Sequence, residues 1–244
     1  DPVGGVSVEA ELNRLWYTDG NLLTAAQFVD EHTEAFNDAS EKSKILAQRV
    51  AGAARLEVGG VELPRRTREC VYVAEPGRVM YCVNQSPVFN SNGYSTRTRG
   101  VVEGLVEAGL DPVVVARSGY PWDSKVDNSK PQSRRYVRNL GGVTYVHTPG
   151  GNLNRDPLDV YFQVAADAFV REARLNRPSI IQSASNFRTA LPALIAARRV
   201  GVPFVYEVRG LWEITEASAK PGFEKTERFN FMRDMETLVA LEAD

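Results

Sequence analysis

The chain has 244 residues, enough for one α/β domain with an additional element, and its 43% hydrophobic and 25% charged side chains are typical of a folded globular protein. It contains no run of about 18 apolar residues, which excludes an ordinary transmembrane helix. Two cysteines and two histidines are too few for a disulfide framework or a histidine-rich metal site, so we expect no metal and a reducing, cytoplasmic location.

The first 60 residues form a helical segment whose pattern differs from the rest of the chain. Residues 22–57 contain no proline and only one glycine, Gly52, and their apolar side chains recur at spacings of three and four. This spacing predicts one long helix with an apolar stripe. Two interpretations stay open: a coiled coil that recruits a partner or forms a dimer, and a helix that packs against its own domain.

A βαβ unit follows the helical segment. Residues 79–83 and 112–116 are apolar runs of the length of buried strands, and the helical pattern between them ends at Gly109. Strands joined in this way are parallel, with a right-handed crossover. The turn-forming residues 84–93 therefore lie at the carboxyl end of the first strand and at the start of the helix, where backbone N–H groups favour an anion.

Strands and helices continue to alternate along the chain, which predicts a doubly wound parallel sheet over residues 61–244. Residues 69–73 fit an edge strand of this sheet, and the polar, proline-containing residues 119–138 fit a long loop. The remaining predicted elements are strands at 143–147, 179–182 and 203–208 and helices at 157–175, 187–199 and 224–242.

Polar residues cluster directly after the predicted strands, at residues 84–93, 147–152, 183–186 and 209–213. Because the carboxyl ends of parallel strands share one edge of a sheet, we expect these clusters to form one rim. Residues 61–140 carry 12 basic and 8 acidic side chains, a net charge of +4 that suits an anionic ligand. We find no stripe of interleaved basic and aromatic residues, and therefore expect no nucleic-acid partner.

Three motifs on these elements resemble the N-terminal domain of family-four glycosyltransferases. They occupy residues 90–100, 119–123 and 206–213, and the similarity covers residues 78–244. The resemblance implies a retaining, nucleotide-sugar-dependent enzyme of GT-B architecture, whose Rossmann-like N-terminal domain lies on the acceptor side. In this family a second domain holds most of the donor nucleotide, and we expect that domain to be absent from this chain.

The resemblance also implies two catalytic residues and a set of substrate contacts. Many family members carry a histidine after the fifth strand, whereas this chain has Arg209 there with Glu213 close behind, and we expect these two residues to be catalytic. The alternative for Arg209 and Glu213 is a structural ion pair. The expected substrate-binding residues are Asn92, Gly93, Tyr94, Arg97, His147, Asn186 and Trp212.

Several of these substrate-binding predictions have a structural alternative. Gly93 would otherwise be an ordinary loop glycine, and Arg97 a solvated surface residue. His147 would otherwise be a hydrogen-bonded structural histidine, and Trp212 a packed core residue.

The resemblance implies that the full-length protein transfers a hexosyl-type sugar, with retention, from a nucleotide sugar to a polysaccharide, other carbohydrate or glycolipid acceptor, with no metal and no further cofactor. We expect the protein in the cytoplasm or at the inner face of the membrane, and this chain alone to be inactive. Two other functions stay open: a non-catalytic interaction module on a degenerate glycosyltransferase domain, and a sugar-nucleotide epimerase, which shares the GT-B architecture.

Overall fold

A computed structural model describes residues 7–65 and 72–244 of the chain, so Cys70 and most of the edge strand predicted at 69–73 lie outside the described residues. The chain divides into two compact units. The helical unit comprises Asp1–Glu62, Leu153–Tyr161 and Leu211–Thr237, and the sheet unit comprises Leu63–Asn152, Phe162–Gly210 and Leu238–Asp244.

The helical unit is built mainly from short helices at the two ends of the chain. Helix α1 spans Val8–Asn13 and continues as a π-helical turn, Arg14–Thr18. Three helices follow in the N-terminal segment: α2 Leu22–Glu31, α3 Thr33–Asn37 and α4 Glu41–Gly59. From the C-terminal part come α8 Trp212–Ala219, a 3₁₀ turn at Phe223–Lys225 and most of α9 Glu227–Leu241.

The prediction of one continuous helix over residues 22–57 is wrong, because the chain breaks twice within that range. Helix α2 ends at Glu31, and Ser40 caps the start of α4 by accepting a hydrogen bond from the backbone N–H of Ser43. Serine and asparagine side chains compete for backbone hydrogen bonds and so favour such helix ends. The predicted apolar stripe is nevertheless buried. Helix α2 packs against α4, and most residues of the stripe are buried, among them Leu22 and Val50. A partner or dimer through this segment stays a prediction.

The described residues of the sheet unit form six strands. Their bounds are β1 Glu75–Val83, β2 Asp111–Ala116, β3 Tyr136–Leu140, β4 Val143–His147, β5 Pro178–Ala184 and β6 Phe204–Glu207. Helices α5 Gly93–Glu107, α6 Leu158–Asn176 and α7 Phe187–Val200 connect them, with α6 in this unit from Phe162 onward. The strand order is β3-β4-β2-β1-β5-β6, and every pair is parallel except β3–β4.

This topology confirms the predicted doubly wound, Rossmann-like sheet. Among the parallel strands the order runs outward from β1 in both directions, through β2 and β4 on one side and through β5 and β6 on the other. The central strands are buried on both faces, as residues 79–83 of β1 show with at most 3% exposure each. The carboxyl ends of β1 and β5 therefore flank the switch point where ligands bind in such sheets.

Strand β3 was missed, because residues 119–138 were predicted to be a loop. Strand β3 pairs antiparallel with β4, and a two-residue turn at Gly141 and Gly142 connects them. The φ angles of these two residues are 62° and 82°, and glycine is the residue that adopts two such positive values in succession most readily. This glycine pair between two apolar-containing runs was the available signal for a hairpin.

The longest helices, α4 and α6, have 19 residues each and mix apolar with charged side chains along their whole length. Such amphipathic helices bury one stripe and expose the other. Within the described parts of the chain, no helix combines the length and the apolar content that crossing a membrane requires.

Candidate functional site

The candidate site lies where the loops after β1 and β5 meet the start of α5. The phenol oxygen of Tyr94, in the first turn of α5, accepts a hydrogen bond of 2.9 Å from the backbone N–H of Asn84. The same hydroxyl donates to the carbonyl of Ser185 at 3.5 Å. Tyr94 thus joins the two loops on either side of the switch point.

Asn92 starts α5 as its N-cap. Its side-chain oxygen accepts from the backbone N–H of Ser95 at 3.0 Å, and the Ser95 hydroxyl accepts from the backbone N–H of Asn92 at 3.0 Å. The Asn92 amide group donates to Gln85 at 2.8 Å. The structure therefore gives Asn92 a capping role, and its contact with substrate stays a prediction.

Gly93, the first residue of α5, is exposed, and the fold gives no reason for a glycine there. Its φ angle is not in the left-handed region, and an added Cβ would meet no atom within 4 Å. Among the described residues, no acceptor takes the backbone N–H groups of Gly93 and Tyr94. Two donors at the positive end of the helix dipole are therefore without an acceptor among the described residues, and such donors favour an anion.

Arg209, directly after β6, is buried rather than open to the rim, with a side-chain exposure of 6%. It donates to the Tyr94 carbonyl and to the Thr98 hydroxyl, each at 2.9 Å, so it holds the first two turns of α5. It also donates to Glu207 at 3.1 Å and to the Tyr81 hydroxyl, and its guanidinium lies 4.4 Å from the centre of the Tyr94 ring. These contacts give Arg209 a structural role in positioning α5, in contrast to the free cation expected from the sequence, and its catalytic role stays a prediction.

The acidic partner of Arg209 is Glu207, not Glu213 as the alternative interpretation of the sequence had it. Glu207 also accepts from the exposed Arg97 at 3.1 Å and from the Tyr81 hydroxyl. Burial raises the pKa of Glu207, but the hydrogen bond from Tyr81 and the two guanidinium groups outweigh it and lower the pKa overall. One carboxylate between two arginines leaves a net charge of +1 beside the start of α5.

His147 is fully buried at the end of β4. Its Nε2 atom lies 2.8 Å from the Ser86 hydroxyl oxygen, and its ring meets that of Phe89 edge to face at 4.9 Å. Burial lowers the pKa of His147 from its ordinary 6.5 to about 4, so the imidazole is neutral near pH 7. These contacts support the structural interpretation of His147.

We expect the buried state of His147 to make stability depend on pH. Since the unfolded chain binds the proton near pH 6.5 and the folded chain only near pH 4, stability is complete above pH 6.5 and is lost as the pH falls. The loss between pH 6.5 and 5 is about 1.5 kcal/mol, measurable by urea unfolding. His147→Gln should remove this slope, whereas His32→Gln, at the chain's other histidine, should keep it. Parallel curves for His147→Gln and the parent chain would contradict the assignment.

Asn186 caps α7, with its side-chain oxygen accepting from the backbone N–H of Arg188 at 3.1 Å, and it is 7% exposed. Trp212 and Glu213 belong to the helical unit, where they open α8. Trp212 is 44% exposed and so is not a core residue, while Glu213 is 4% exposed. Substrate contacts of Asn186 and Trp212 and a catalytic role of Glu213 stay predictions.

Arg117 was overlooked in the sequence although it shapes the same edge of the sheet. It follows β2 and forms a two-pronged, buried ion pair with Asp123, at 2.6 and 2.9 Å. It also donates to the Asn84 side chain at 2.8 Å, which ties the loops after β1 and β2 together. An arginine directly after a buried strand, with an aspartate six residues later, was the available signal.

Over the part of the chain that the structure describes, no group of three or more histidine, cysteine, aspartate or glutamate side chains is placed to hold a metal ion. The groups that the site offers to a ligand are therefore backbone N–H donors, guanidinium groups and hydroxyls. These are the groups that bind phosphates and sugar hydroxyls in proteins.

Comparison with known proteins connects this edge of the sheet with a family. No curated protein matches the chain. A family model described as a glycosyl transferase 4-like domain matches residues 92–244, from the cap of α5 through the Arg209 motif to the last residue. The match covers more than half of the chain and includes all nine residues that the sequence analysis predicted for the site. The chain therefore belongs to the glycosyl transferase 4-like family.

Proposed function

We propose that the full-length protein transfers a sugar from a nucleotide-sugar donor to a carbohydrate or glycolipid acceptor, with retention of configuration at the transferred carbon. The family supports glycosyl transfer in general terms. The observation that supports a phosphate-bearing donor is the start of α5, where the N–H groups of Gly93 and Tyr94 have no acceptor among the described residues and lie beside the switch point of the sheet.

The electrostatics at this position suit a phosphate-bearing substrate. The α5 dipole, the two unpaired N–H donors and the net charge of +1 from Arg97, Glu207 and Arg209 act together on one side of the switch point. Charge that develops on a leaving diphosphate would be stabilised by these preorganised groups, which need no reorganisation during the reaction. The proposed role of Arg209 is to hold α5 in place, and that of Arg97 is to contact the anion.

The test is a transfer assay on the full-length protein, with radiolabelled nucleotide sugars and a panel of oligosaccharide and glycolipid acceptors. We expect label in the acceptor, activity that persists in a metal chelator, and an anomeric configuration unchanged by NMR of the product. Binding without transfer to any acceptor would favour a non-catalytic interaction module. Formation of an epimeric nucleotide sugar without an acceptor would favour an epimerase. Either result contradicts the proposal.

A further inference from the structure

A second feature of the sheet unit is a cavity of about 420 Å³ against the edge strand β3. Its volume lies within the range of about 300–1,000 Å³ that small-molecule pockets occupy. The walls come from three parts of the chain: the loop after β1, the loop before β3, and β3 itself. None of the predictions from the sequence involved this cavity.

One face of β3 forms a wall of the cavity. Tyr136, Arg138 and Leu140 alternate along the strand and so point to the same side of the sheet, and all three line the cavity. The Tyr136 ring packs 5.8 Å from the ring of Phe89, which lines the cavity from the loop after β1. This wall therefore combines aromatic and aliphatic surface with one cationic side chain.

The opposite walls are held in place by hydrogen bonds between the two loops. The Asn128 amide group donates to the carbonyl of Val88 at 2.8 Å, and the backbone N–H of Asp127 donates to that of Phe89 at 3.0 Å. The Asp127 carboxylate accepts from the backbone N–H of Ser91 at 2.8 Å. A ligand would thus enter a cavity whose shape is already formed, with little ordering cost.

Arg138 is the charged group of this cavity. It is exposed, and among the described residues its guanidinium has neither a hydrogen-bond partner nor an ion-pair partner. The surrounding residues 124–138 carry five basic side chains and one acidic side chain, and one of the basic groups, Arg135, is neutralised by an ion pair with Glu172, which leaves a net charge of +3. The one acidic group, Asp127, is already engaged by Ser91. The field in the cavity therefore favours an anionic ligand.

We propose that this cavity binds an acidic sugar of the acceptor, a ring whose apolar face lies on the Tyr136 and Leu140 wall and whose carboxylate or phosphate pairs with Arg138. Guanidinium pairs with either anion through two parallel hydrogen bonds. The inference rests on the proposed transfer function, because it names the acceptor class of that reaction. It adds a specificity-determining residue, Arg138, on the acceptor side.

The test measures binding to the protein directly, by titration calorimetry without any nucleotide sugar. The probe is a tetrasaccharide of alternating glucose and glucuronic acid, and its matched control is the same compound with the carboxylates reduced to alcohols. We expect the acidic form to bind at least about tenfold more tightly than the reduced form, and more weakly as salt rises. Glucose 6-phosphate, compared with glucose, gives the corresponding measurement for a phosphate.

Variants then assign the effect to the cavity. Arg138→Gln should abolish the preference for the acidic tetrasaccharide, whereas Arg134→Gln, at an exposed arginine outside the cavity lining, should preserve it. Equal binding of the acidic and reduced forms, absence of binding by both acidic probes, or an unchanged preference in Arg138→Gln would each overturn the inference. A preference shown by glucose 6-phosphate alone would support it with phosphate as the anion.

The transfer assay separates this inference from the proposed function. If the protein transfers sugar to neutral acceptors only and does not bind the acidic probes, the inference on the cavity fails and the transfer function stands. If no acceptor is glycosylated but binding of the acidic probe depends on Arg138, the transfer function fails and the cavity remains an acidic-sugar site.

Discussion

Replacing Arg209 with alanine is expected to lower the free energy of unfolding of the sheet unit by about 3–5 kcal/mol, the scale for breaking a buried ion pair from one side. The guanidinium is 6% exposed, and its loss leaves the Glu207 carboxylate, 16% exposed, without its buried cationic partner. It also removes the donors to the Tyr94 carbonyl and the Thr98 hydroxyl that hold the start of α5. Urea unfolding followed by circular dichroism measures the effect.

A matched control for Arg209→Ala is available on the same carboxylate. Arg97 contacts Glu207 at the same 3.1 Å, but its side chain is 53% exposed. Arg97→Ala should therefore cost less than about 1 kcal/mol, as is usual for solvated pairs. Equal losses in the two variants would show that burial does not decide the strength of these contacts, and would contradict the positioning role of Arg209.

The pair can also be removed as a unit. In the double variant Glu207→Gln, Arg209→Met no buried charge is left alone, so the loss of stability should be smaller than the sum of the two single losses. Arg209→Lys should fall between the parent chain and Arg209→Ala, since an ammonium group keeps the charge but lacks the planar fork that reaches Glu207 and α5 together.

Replacing Gly93 with alanine is expected to lower the turnover of the full-length protein by about 100-fold, the scale for a lost backbone contact to a developing negative charge. The new methyl group would meet no protein atom within 4 Å, so the fold should tolerate it. It would, however, add bulk at the first residue of α5, where the proposed substrate approaches the N–H donors of Gly93 and Tyr94. Stability should stay within about 0.5 kcal/mol of the parent chain. Turnover and urea unfolding are measured on the same preparation.

Gly104→Ala is the matched control for Gly93→Ala. Gly104 lies in the same helix, and a Cβ there also meets nothing within 4 Å. An alanine in a helix interior should stabilise by roughly 0.5–1 kcal/mol and leave turnover unchanged. Full activity of Gly93→Ala would show that the start of α5 does not approach a substrate, and the proposed site would then have to be placed elsewhere.

The pattern of the amino-acid sequence was sufficient to predict the parallel sheet and the edge of the sheet at which the candidate site lies. Short apolar runs such as residues 79–83 separated by amphipathic helices leave few other arrangements, because parallel strands need helical crossovers and both faces of the sheet must be covered. The turn formers before α5 then follow directly from the strand direction. Local patterns of period two and period 3.6 are sufficient for such conclusions, since they depend only on neighbours along the chain.

Which side chains contact each other depends on the folded structure. Arg209 contacts Glu207 and Tyr81, which are 2 and 128 residues away in the sequence, and not Glu213. These three residues come together because of the pleat of β6 and the register of β1. The burial of the apolar side chains of residues 22–57 within their own unit, where α2 packs against α4, also depends on the tertiary structure. Strand β3, which forms one wall of the cavity, likewise depends on antiparallel pairing with the edge of β4. Burial and long-range pairing are properties of the assembled fold, and they outweigh the local preferences that a sequence displays.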